Sequence, residues 1–439
     1  MSAILKVSIH ALGCPKALVD AEQLLAVSAD SGCEISLDPD DCDVLLINTC
    51  SFVDAARAES YEVIEEALQK KKSGIIKKVI VTGCLPQILL AELQTKYPEI
   101  DGYLGTGLNS SIYEIISGKK KSLINDLNSI SSNGILPRFK ITLPHISYLR
   151  VSEGCSHGCS FCKIPLIRGR FRSFGLDEIL SEANALAESG VKELNIIAQD
   201  TSIVGFDAKP QYDLSTLTHK LSEIGGFEWV RVLYTNPMHF TDKTLEAFGA
   251  SKVLPYFEIP IQHASNKILK AMNREKPGID GIWEIIEKIR DNFDDPTIRS
   301  TAIVGFPGET DKDFEILHDF ASEVEFDRFG VFKFSNEEGT KAFDLPDKVP
   351  DDVASERQEQ LLLTQSEISY ERNEYLVGSI QQVIIDQIYD DYAVGRTKSD
   401  APEIDCIVKI NGTDFQIGDI VDVKITNFDH FDLEGSICS

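Results

Sequence analysis

Residues 146–162 read ISYLRVSEGCSHGCSFC. The β-rich run at 146–151 predicts a buried strand, and the glycine-containing loop that follows it carries Cys155, Cys159 and Cys162. Close-spaced thiols in such a loop are typical of a soft metal centre, and iron–sulfur clusters are held by thiolates of this kind. Because a four-iron cluster has four irons, three thiolates leave one iron open to a substrate or cofactor. The stretch therefore predicts a strand that presents a reactive metal centre.

The same loop leaves a zinc site open as an alternative, with His157 as the fourth ligand. Zinc in structural sites is held tetrahedrally by thiolates and imidazoles. His157 is only two residues from Cys155 and two from Cys159, so it would be cramped in such a cage. The spacing therefore favours an iron–sulfur cluster.

Strands and helices alternate for about 190 residues from this loop onward. The predicted strands lie at 146–151, 193–198, 229–233, 256–259, 298–304 and 329–334, with helices at 176–188, 283–290 and 313–323. Repeated βα units predict a partial or complete βα barrel, with its chemistry at the carboxyl ends of the strands. An open, doubly wound sheet is the alternative.

The N-terminal part shows the same alternation around a second set of cysteines. Strands are predicted at 4–10, 44–48 and 79–82, and helices at 17–28, 55–70 and 87–96, which indicates a parallel α/β domain. Cys14, Cys50 and Cys84 each come just after one of these strands. Because the carboxyl ends of parallel strands lie along one edge, these thiols could hold a second cluster. The alternative is that each packs as a small buried residue, as free cysteine often does.

The C-terminal part changes character after a long polar helix predicted at 353–376. Strands are predicted at 380–388, 393–396, 404–410 and 420–425, and Asn411-Gly412 predicts a tight hairpin turn after the third of them. This pattern indicates a small all-β barrel of about five strands, similar in size to OB-like modules. Cys33, Cys42, Cys406 and Cys438 follow no pattern and are expected to be packing or surface thiols.

These patterns divide the chain into three domains and a linker. The expected boundaries are an N-terminal α/β domain at 1–118, a linker at 119–143, a central domain at 144–371 and the β-barrel at 372–439. The linker is predicted because residues 122–133 are rich in Ser and Asn and poor in core-forming residues.

The charge of the chain bears on the kind of partner it binds. There are 43 Lys and Arg against 70 Asp and Glu in 439 residues, a formal charge of −27. Residues 372–439 hold 5 cationic and 13 acidic side chains, net −8. This balance argues against binding mainly to a nucleic-acid backbone. A basic partner is its natural electrostatic complement, but for charge alone plain solubility is the favoured interpretation.

The sequence also indicates a compartment. No apolar run approaches the roughly 20 residues that span a bilayer, and residues 1–10 lack the pattern of an export signal. We therefore expect a cytoplasmic protein without a membrane partner, whose ten cysteines are thiols rather than disulfides.

Several motifs resemble one enzyme family along nearly the whole chain. The loop at 154–162 resembles the radical S-adenosylmethionine motif, and the C-terminal module resembles a TRAM domain. Within the methylthiotransferases, the chain resembles the ribosomal-protein (RimO) branch. The motifs that carry this resemblance are Gly13-Cys14-Pro15-Lys16, Thr49-Cys50-Ser51-Phe52, Gly83-Cys84-Leu85-Pro86, Ile164-Pro165-Leu166-Ile167-Arg168-Gly169 and Pro260-Ile261-Gln262-His263-Ala264-Ser265.

The resemblance implies two 4Fe–4S clusters and S-adenosylmethionine as cofactors. Cys155, Cys159 and Cys162 would hold the cluster that binds S-adenosylmethionine and generates a 5′-deoxyadenosyl radical. The second cluster, on Cys14, Cys50 and Cys84, would supply the sulfur. The product would be a methylthio group on the β-carbon of an aspartate in small-subunit ribosomal protein number twelve, a basic protein taken free or in the ribosome. An electron donor such as a flavodoxin or ferredoxin is also implied.

Gln199 and Gln262 follow predicted barrel strands, where a barrel would place contacts to the cofactor, and ordinary loop capping is the alternative for both. The resemblance adds Phe161, which lies between two cluster ligands, as a contact to S-adenosylmethionine. No protein side chain is assigned as a catalytic acid or base. Arg168, Arg170 and Arg172 form a basic patch beside the site, and internal salt bridges are its favoured interpretation.

Two rival functions remain at this point. The first is a tRNA (adenosine) methylthiotransferase of the same superfamily, which the net charge and the branch-specific residues disfavour. The second is a non-catalytic zinc-binding module.

Overall fold

The structure is a computed structural model that describes residues 4–127 and 136–438. Residues 128–135, which are part of the predicted linker, lie outside the described residues, as do 1–3 and 439. In the described part of the chain, no helix is both long and apolar enough to cross a lipid bilayer.

The N-terminal domain is a parallel sheet with helices on both faces, as predicted. Its strands follow the order β2-β1-β3-β4-β5-β6, so β1, β3 and β4 are neighbours. In chain order its elements are β1 (Lys6–Ala11), α1 (Pro15–Asp30), β2 (Glu34–Ile35), β3 (Val44–Thr49), α2 (Asp54–Lys72), β4 (Lys78–Gly83), α3 (Cys84–Lys96), β5 (Gly102–Leu104), α4 (Ile112–Ile116) and β6 (Ser122–Leu123).

Strand β3 shows why this sheet needs two helical layers. All six of its residues are buried. Leu45 and Ile47 belong to the apolar core shared with α2 and α3, while Val44 and Leu46 belong to the core shared with α1 and α4. Because side chains alternate between the faces of a strand, a strand that is apolar throughout must be covered on both sides.

The central domain is a partial βα barrel of six parallel strands, as predicted. It is built from two three-stranded arcs, β7-β10-β11 and β12-β13-β14. The elements are β7 (Ile146–Arg150), β8 (Ser152–Glu153), α5 (Ile164–Arg168), β9 (Arg172–Ser173), α6 (Leu176–Glu188), β10 (Glu193–Ile197), α7 (Leu214–Glu223), β11 (Trp229–Val232), α8 (Asp242–Ala247), β12 (Tyr256–Glu258), α9 (Asn266–Ala271), α10 (Gly278–Asn292), β13 (Thr297–Val304), α11 (Asp311–Val324), β14 (Arg328–Lys333) and α12 (Asp351–Leu376).

The two arcs meet through backbone hydrogen bonds. Thr235 N donates to Glu258 O at 3.1 Å, and Leu254 N donates to Val230 O at 2.8 Å. In the described part of the chain β7 and β14 do not pair, so the barrel stays open there. The carboxyl ends of the six strands form one mouth, where barrel enzymes carry their active sites.

The C-terminal domain is a closed five-stranded barrel, as predicted. Its strands are β15 (Ile380–Ile388), β16 (Tyr392–Thr397), β17 (Val408–Asn411), β18 (Ile420–Phe428) and β19 (Leu433–Ile437), in the order β15-β16-β17-β19-β18.

The predicted hairpin at Asn411-Gly412 is wrong. Strand β17 pairs with β16 and, in parallel, with β19, and it reaches β18 through residues 412–419 without pairing with it. Val408 and Ile410 are buried in the barrel core between these two neighbours. Barrel closure therefore outweighs the local turn preference of the Asn-Gly pair.

Buried charges join the C-terminal barrel to the central domain. Glu193, at the start of β10, lies 2.7 Å from Arg396 Nη2 and 3.3 Å from Arg231 Nε. Arg396 Nε also donates to Asp386 Oδ2 at 2.6 Å, and Asp386 Oδ1 lies 2.8 Å from His145 Nε2. Each charge in this contact has a partner of opposite sign, as burial requires.

Replacing Arg396 with methionine should destabilise this contact. The variant leaves Glu193 and Asp386 with fewer cations, and breaking a buried pair typically lowers the free energy of unfolding by about 3–5 kcal/mol. Urea unfolding followed by circular dichroism would measure the loss. Lys424→Met, at an exposed position of the same barrel, is the matched control. Equal stability of the two variants would contradict the assignment.

Candidate metal centres

The first group of thiols, Cys14, Cys50 and Cys84, lies at one edge of the N-terminal sheet. Cys14 immediately precedes α1, Cys50 follows β3, and Cys84 begins α3. The strand register pairs Ala11 with Asn48 and Thr49 with Gly83, so the three strands end together. The sequence prediction that these residues follow neighbouring parallel strands agrees with this placement.

Just before Cys14, the backbone passes very close to Cys50. Gly13 has a φ of +98°, and a Cβ atom at this position would lie 3.0 Å from Cys50 Cβ and 3.3 Å from Cys50 Sγ. Only glycine adopts this conformation without strain and leaves room for the neighbouring cysteine. The Gly-Cys pair therefore brings two of the three cysteines together.

Asn48 fixes the end of β3 and was not identified from the sequence. Its Nδ2 donates to Ala17 O at 2.7 Å, and its Oδ1 accepts a hydrogen bond from Thr82 Oγ1 at 3.1 Å. It is almost fully buried, so these bonds satisfy polar groups that would otherwise be costly. The signal in the sequence was an amide within the otherwise apolar run VLLIN.

The second group, Cys155, Cys159 and Cys162, lies in the loop after β7 and β8. Gly154 has a φ of +75°, and a Cβ atom there would lie 2.2 Å from Arg170 O. Cys155 N donates to Gly169 O at 3.1 Å, so residue 155 is held close to the segment that follows α5. From the opposite side, Asn273 Nδ2 donates to the carbonyl oxygens of residues 157 and 158 at 3.1 and 3.0 Å.

His157 is engaged with Asp200 rather than with the thiols. Its Nε2 lies 2.6 Å from Asp200 Oδ2, and Asp200 Oδ1 accepts from Ser202 N at 2.9 Å. Among the described residues, the one set of three ligand-type side chains with all ligating atoms within 4.8 Å is His157, Asp200 and His239. The three cysteines thus form a thiolate set without the histidine that the zinc interpretation needed.

The donor chemistry of both cysteine groups fits iron–sulfur clusters. In neither group do all three sulfur atoms lie within 4.8 Å of one another, as ligands of a single ion would. A four-iron cube occupies the space between its ligands and so accepts this wider spacing. Burial raises the pKa of the Cys84 thiol to about 12 and that of Cys162 to about 12. Because thiolates are the ligand form, a bound metal centre is what would stabilise them.

Four buried charged side chains lie at the contact between the N-terminal and central domains. Arg168 Nη1 lies 2.8 Å from Asp20 Oδ2 and 3.2 Å from Glu153 Oε2. Arg150 Nη1 lies 2.7 Å from Asp20 Oδ1 and 3.1 Å from Glu153 Oε2. Asp20 comes from α1 and the other three residues from the central domain. We call these four residues the interdomain charge network.

The interdomain charge network contacts the first cysteine group and is adjacent in the chain to the second. Arg168 Nη2 lies 3.9 Å from Cys84 Sγ, and Glu153 is two residues before Cys155. Although burial alone would raise the pKa of the Asp20 carboxyl, the guanidinium groups of Arg168 and Arg150 hold this pKa well below its usual value. Both carboxylates of the network are therefore charged at neutral pH, since the pKa of Glu153 is lowered by the same two arginines.

A second ion-pair group joins the same two domains. Glu337 Oε2 lies 2.7 Å from Lys163 Nζ and 2.5 Å from Arg57 Nη1. Lys163 directly follows Cys162, and Arg57 belongs to α2. In addition, Thr106 Oγ1 donates to Ile167 O at 2.7 Å. The N-terminal domain therefore contacts the central domain on both sides of the cysteine loop.

Phe161, Gln199 and Gln262 lie at the mouth of the barrel. Phe161 packs beside a small apolar group. Gln262 lies four residues after the end of β12, has a φ of +70°, and forms backbone hydrogen bonds with Thr301 and Ile303 of β13. Gln199 Nε2 donates to Glu153 Oε1 at 3.2 Å, whereas its Oε1 is buried and has no partner among the described residues. An unpartnered buried acceptor fits a site that receives a polar ligand.

The remaining sequence candidates have mainly structural contacts. Arg168 of the predicted basic patch forms internal salt bridges, as favoured, while Arg170 is exposed and Arg172 donates to backbone oxygens. The loop at 305–310, which follows β13, likewise has structural contacts, since Glu309 pairs with Arg357 at 2.8 Å and Thr310 caps α11.

Three family models match separate parts of the chain. The radical SAM superfamily matches residues 149–321, the family described as uncharacterized protein family UPF0004 matches residues 6–105, and the TRAM domain matches residues 377–438. Among solved structures, a radical S-adenosylmethionine methyltransferase, TsrM, from Kitasatospora setae is similar with a TM-score of 0.57. It is 12% identical and covers 75% of this chain and 73% of its own, so it shows the fold alone.

Curated relatives match the chain along its whole length. The ribosomal protein uS12 methylthiotransferase RimO of Clostridioides difficile is 42% identical over 99% of this chain and 99% of its own. The protein of the same name from Geobacter sulfurreducens is 40% identical over 99% of both chains. The chain therefore belongs to the RimO family of ribosomal protein uS12 methylthiotransferases.

Proposed function

We propose that this protein adds a methylthio group to the β-carbon of an aspartate in ribosomal protein uS12, by radical S-adenosylmethionine chemistry. The observation that carries the proposal is that Arg168 contacts Cys84 of the first cysteine group and pairs with Glu153, which lies two residues before Cys155 at the start of the loop that carries the second group. The relatives named for this activity support it along the whole chain.

The two cysteine groups have different roles in this proposal. Cys155, Cys159 and Cys162 hold the 4Fe–4S cluster that binds S-adenosylmethionine, and Cys14, Cys50 and Cys84 hold the auxiliary 4Fe–4S cluster. Once bound, the clusters and S-adenosylmethionine supply the carbon radical and the methylthio sulfur. Phe161, Gln199 and Gln262 contact S-adenosylmethionine, and the unpartnered Gln199 Oε1 supports this role.

The protein holds the two cysteine groups in position and shields the reaction from water. The interdomain charge network is almost completely buried and holds α1 against the loop that carries Cys155. A fixed separation between the two cysteine groups keeps the target carbon within reach of both. Small errors in such a separation strongly lower the reaction rate. Exclusion of water protects reactive species from side reactions.

The partners are inferred from the acidic charge of the chain and from its expected compartment. The acidic C-terminal barrel supports a basic protein substrate such as uS12, free or in the ribosome, and not tRNA. The reductant is a small electron-transfer protein such as a flavodoxin or ferredoxin, and the enzyme acts in the cytoplasm. We also propose that the functional units are residues 1–118, 144–371 and 372–439, with 119–143 as linker. In this division β6 (Ser122–Leu123) lies in the linker although it pairs with β5 of the N-terminal sheet, and the boundary at 371 falls within α12.

Replacing single cysteines should separate the roles of the two groups. Cys155→Ala should abolish both 5′-deoxyadenosine formation and methylthiolation, because it removes a ligand of the cluster that binds S-adenosylmethionine. Cys50→Ala should retain 5′-deoxyadenosine formation and lose methylthiolation. Chromatography of the nucleoside and mass spectrometry of uS12, after anaerobic incubation with reductant, would measure the two products. Identical behaviour of both variants would contradict this division, and Cys438→Ala is the control.

Asp20→Asn should uncouple the two sites. The variant removes one negative charge from a buried network of two arginines and two carboxylates, a change that typically costs about 3–5 kcal/mol. We expect iron content and 5′-deoxyadenosine formation to persist while methylthiolation falls at least about tenfold. Asp30→Asn, at an exposed position near the end of α1, is the matched control. Full methylthiolation by Asp20→Asn would show that the network does not set the geometry.

Charge reversal should test the acidic barrel as a substrate surface. Asp390, Asp391 and Asp422 are exposed, whereas Asp419 accepts a hydrogen bond from Gln416 N and is better left intact. Changing the three exposed residues to lysine should raise the KM for uS12, with a strong salt dependence, and leave S-adenosylmethionine cleavage unchanged. A control with the same charge change reverses three exposed acids of α10, Glu284, Glu287 and Asp291. An unchanged KM would remove the proposed surface.

A further inference from the structure

Lys16 is a buried cation without a carboxylate partner. Among the described residues, eight lysines and arginines are buried, and six of these lie within 4.0 Å of a carboxylate oxygen. The six paired residues are Arg150, Lys163, Arg168, Arg231, Arg357 and Arg396. The two without such a partner in the described part of the chain are Lys16 and Arg274, and Arg274 donates to Pro260 O.

Lys16 lies where the two domains face each other. It is two residues after Cys14, in the first turn of α1. Its Nζ donates to Ala198 O at 2.9 Å and lies 3.7 Å from the centre of the Tyr234 ring. Ala198 and Tyr234 follow β10 and β11, so the ammonium group reaches from the first cysteine group to the mouth of the barrel.

The ammonium group has more hydrogen-bonding capacity than the protein uses. A lysine has three N–H donors, and Ala198 O accepts one of them. The Tyr234 ring offsets part of the buried charge, but an unpaired buried charge still carries a large desolvation cost. Cys14, Glu258 and Glu153 act on the ammonium group electrostatically and Arg168 opposes them, but among the described residues no carboxylate oxygen lies within 4.0 Å of its Nζ. The site therefore favours an anionic ligand.

A neighbouring group indicates that a ligand with a hydrogen-bond donor also lies at this strand end. Gln199 directly follows Ala198, and its amide oxygen is buried without a partner. Buried polar groups are normally satisfied in a folded protein. An unpaired ammonium and an unpaired amide oxygen beside the same strand end indicate a place where polar ligands complete the contacts.

We infer that Lys16 binds the side-chain carboxylate of the target aspartate. The inference rests on the proposed function, which supplies the aspartate. The carboxylate carbon is bonded directly to the β-carbon, so a cation that holds the carboxylate also fixes the carbon to be modified. A position beside Cys14 and at the barrel mouth places that carbon between the two cysteine groups. Lys16 is thus the residue that distinguishes an anionic target from a neutral one.

The experiment compares two substrates with three forms of the full-length, cluster-loaded enzyme. The substrates are uS12 with the target aspartate and uS12 with asparagine at that position. The enzymes are the wild type, Lys16→Met and Lys16→Arg, with Lys288→Met, an exposed lysine of α10, as the matched control. Each is assayed for kcat and KM on both substrates, for 5′-deoxyadenosine formation without substrate, and for iron content.

We expect Lys16→Met to raise the KM for the aspartate substrate by about 10- to 100-fold, the range for a hydrogen bond to a charged group. Its preference for aspartate over asparagine should shrink by a similar factor, while iron content and 5′-deoxyadenosine formation stay at the wild-type level. Lys16→Arg keeps the charge and should keep most of the preference.

Two results would overturn the inference. One is an unchanged preference for aspartate in Lys16→Met. The other is an equal loss on both substrates together with loss of 5′-deoxyadenosine formation, which would mean that Lys16 only balances the charge of the metal centre or holds α1 in place. Failure of the proposed function is distinguishable from both, because the wild-type enzyme would then leave uS12 unmodified.

Discussion

Two buried carboxylates and two buried guanidinium groups form the contact on which the arrangement of both cysteine groups depends. Asp20 lies on α1 of the N-terminal domain, and Arg150, Arg168 and Glu153 surround it from the central domain. Buried ion pairs contribute little net stability, because the desolvation of each charge offsets the attraction. They do define geometry, since any other docking of the two domains leaves a buried charge without its partner. The main effect of the contact is therefore to fix the position of the two domains relative to each other.

The acidity of the chain has two physically different parts. In the C-terminal barrel, Asp386, Asp400 and Asp405 are paired with arginines at the contact with the central domain or within the barrel itself. These acids hold the barrel in place. Because their charges are already paired with arginines, they do not attract a basic partner. Others, such as Asp390 and Asp422, are exposed and contribute to the field that a basic partner meets. Net charge alone does not separate these two uses.

Much of the fold could be predicted from the sequence, because strand and helix periodicity are local properties. Strand β15 and helix α6 begin and end where the sequence predicted, and Cys14, Cys50 and Cys84 were placed correctly after neighbouring strands. The Asn411-Gly412 hairpin failed because closure of the barrel places β19 beside β17. Asn48 was missed because a polar residue inside an apolar strand gives no sign of its partners.

The sequence by itself determined the fold class, the two sets of thiols and the family, since these depend on spacing along the chain. Only the tertiary structure decided which charges pair and which do not. Asp20 and Arg150 are 130 residues apart, and Lys16 and Ala198 are 182 apart. Such contacts exist only after two domains dock, and their free energy depends on the burial that docking produces. From the sequence alone, Lys16 would be taken for an ordinary surface residue. In the folded protein it is buried, and among the described residues it has no carboxylate partner.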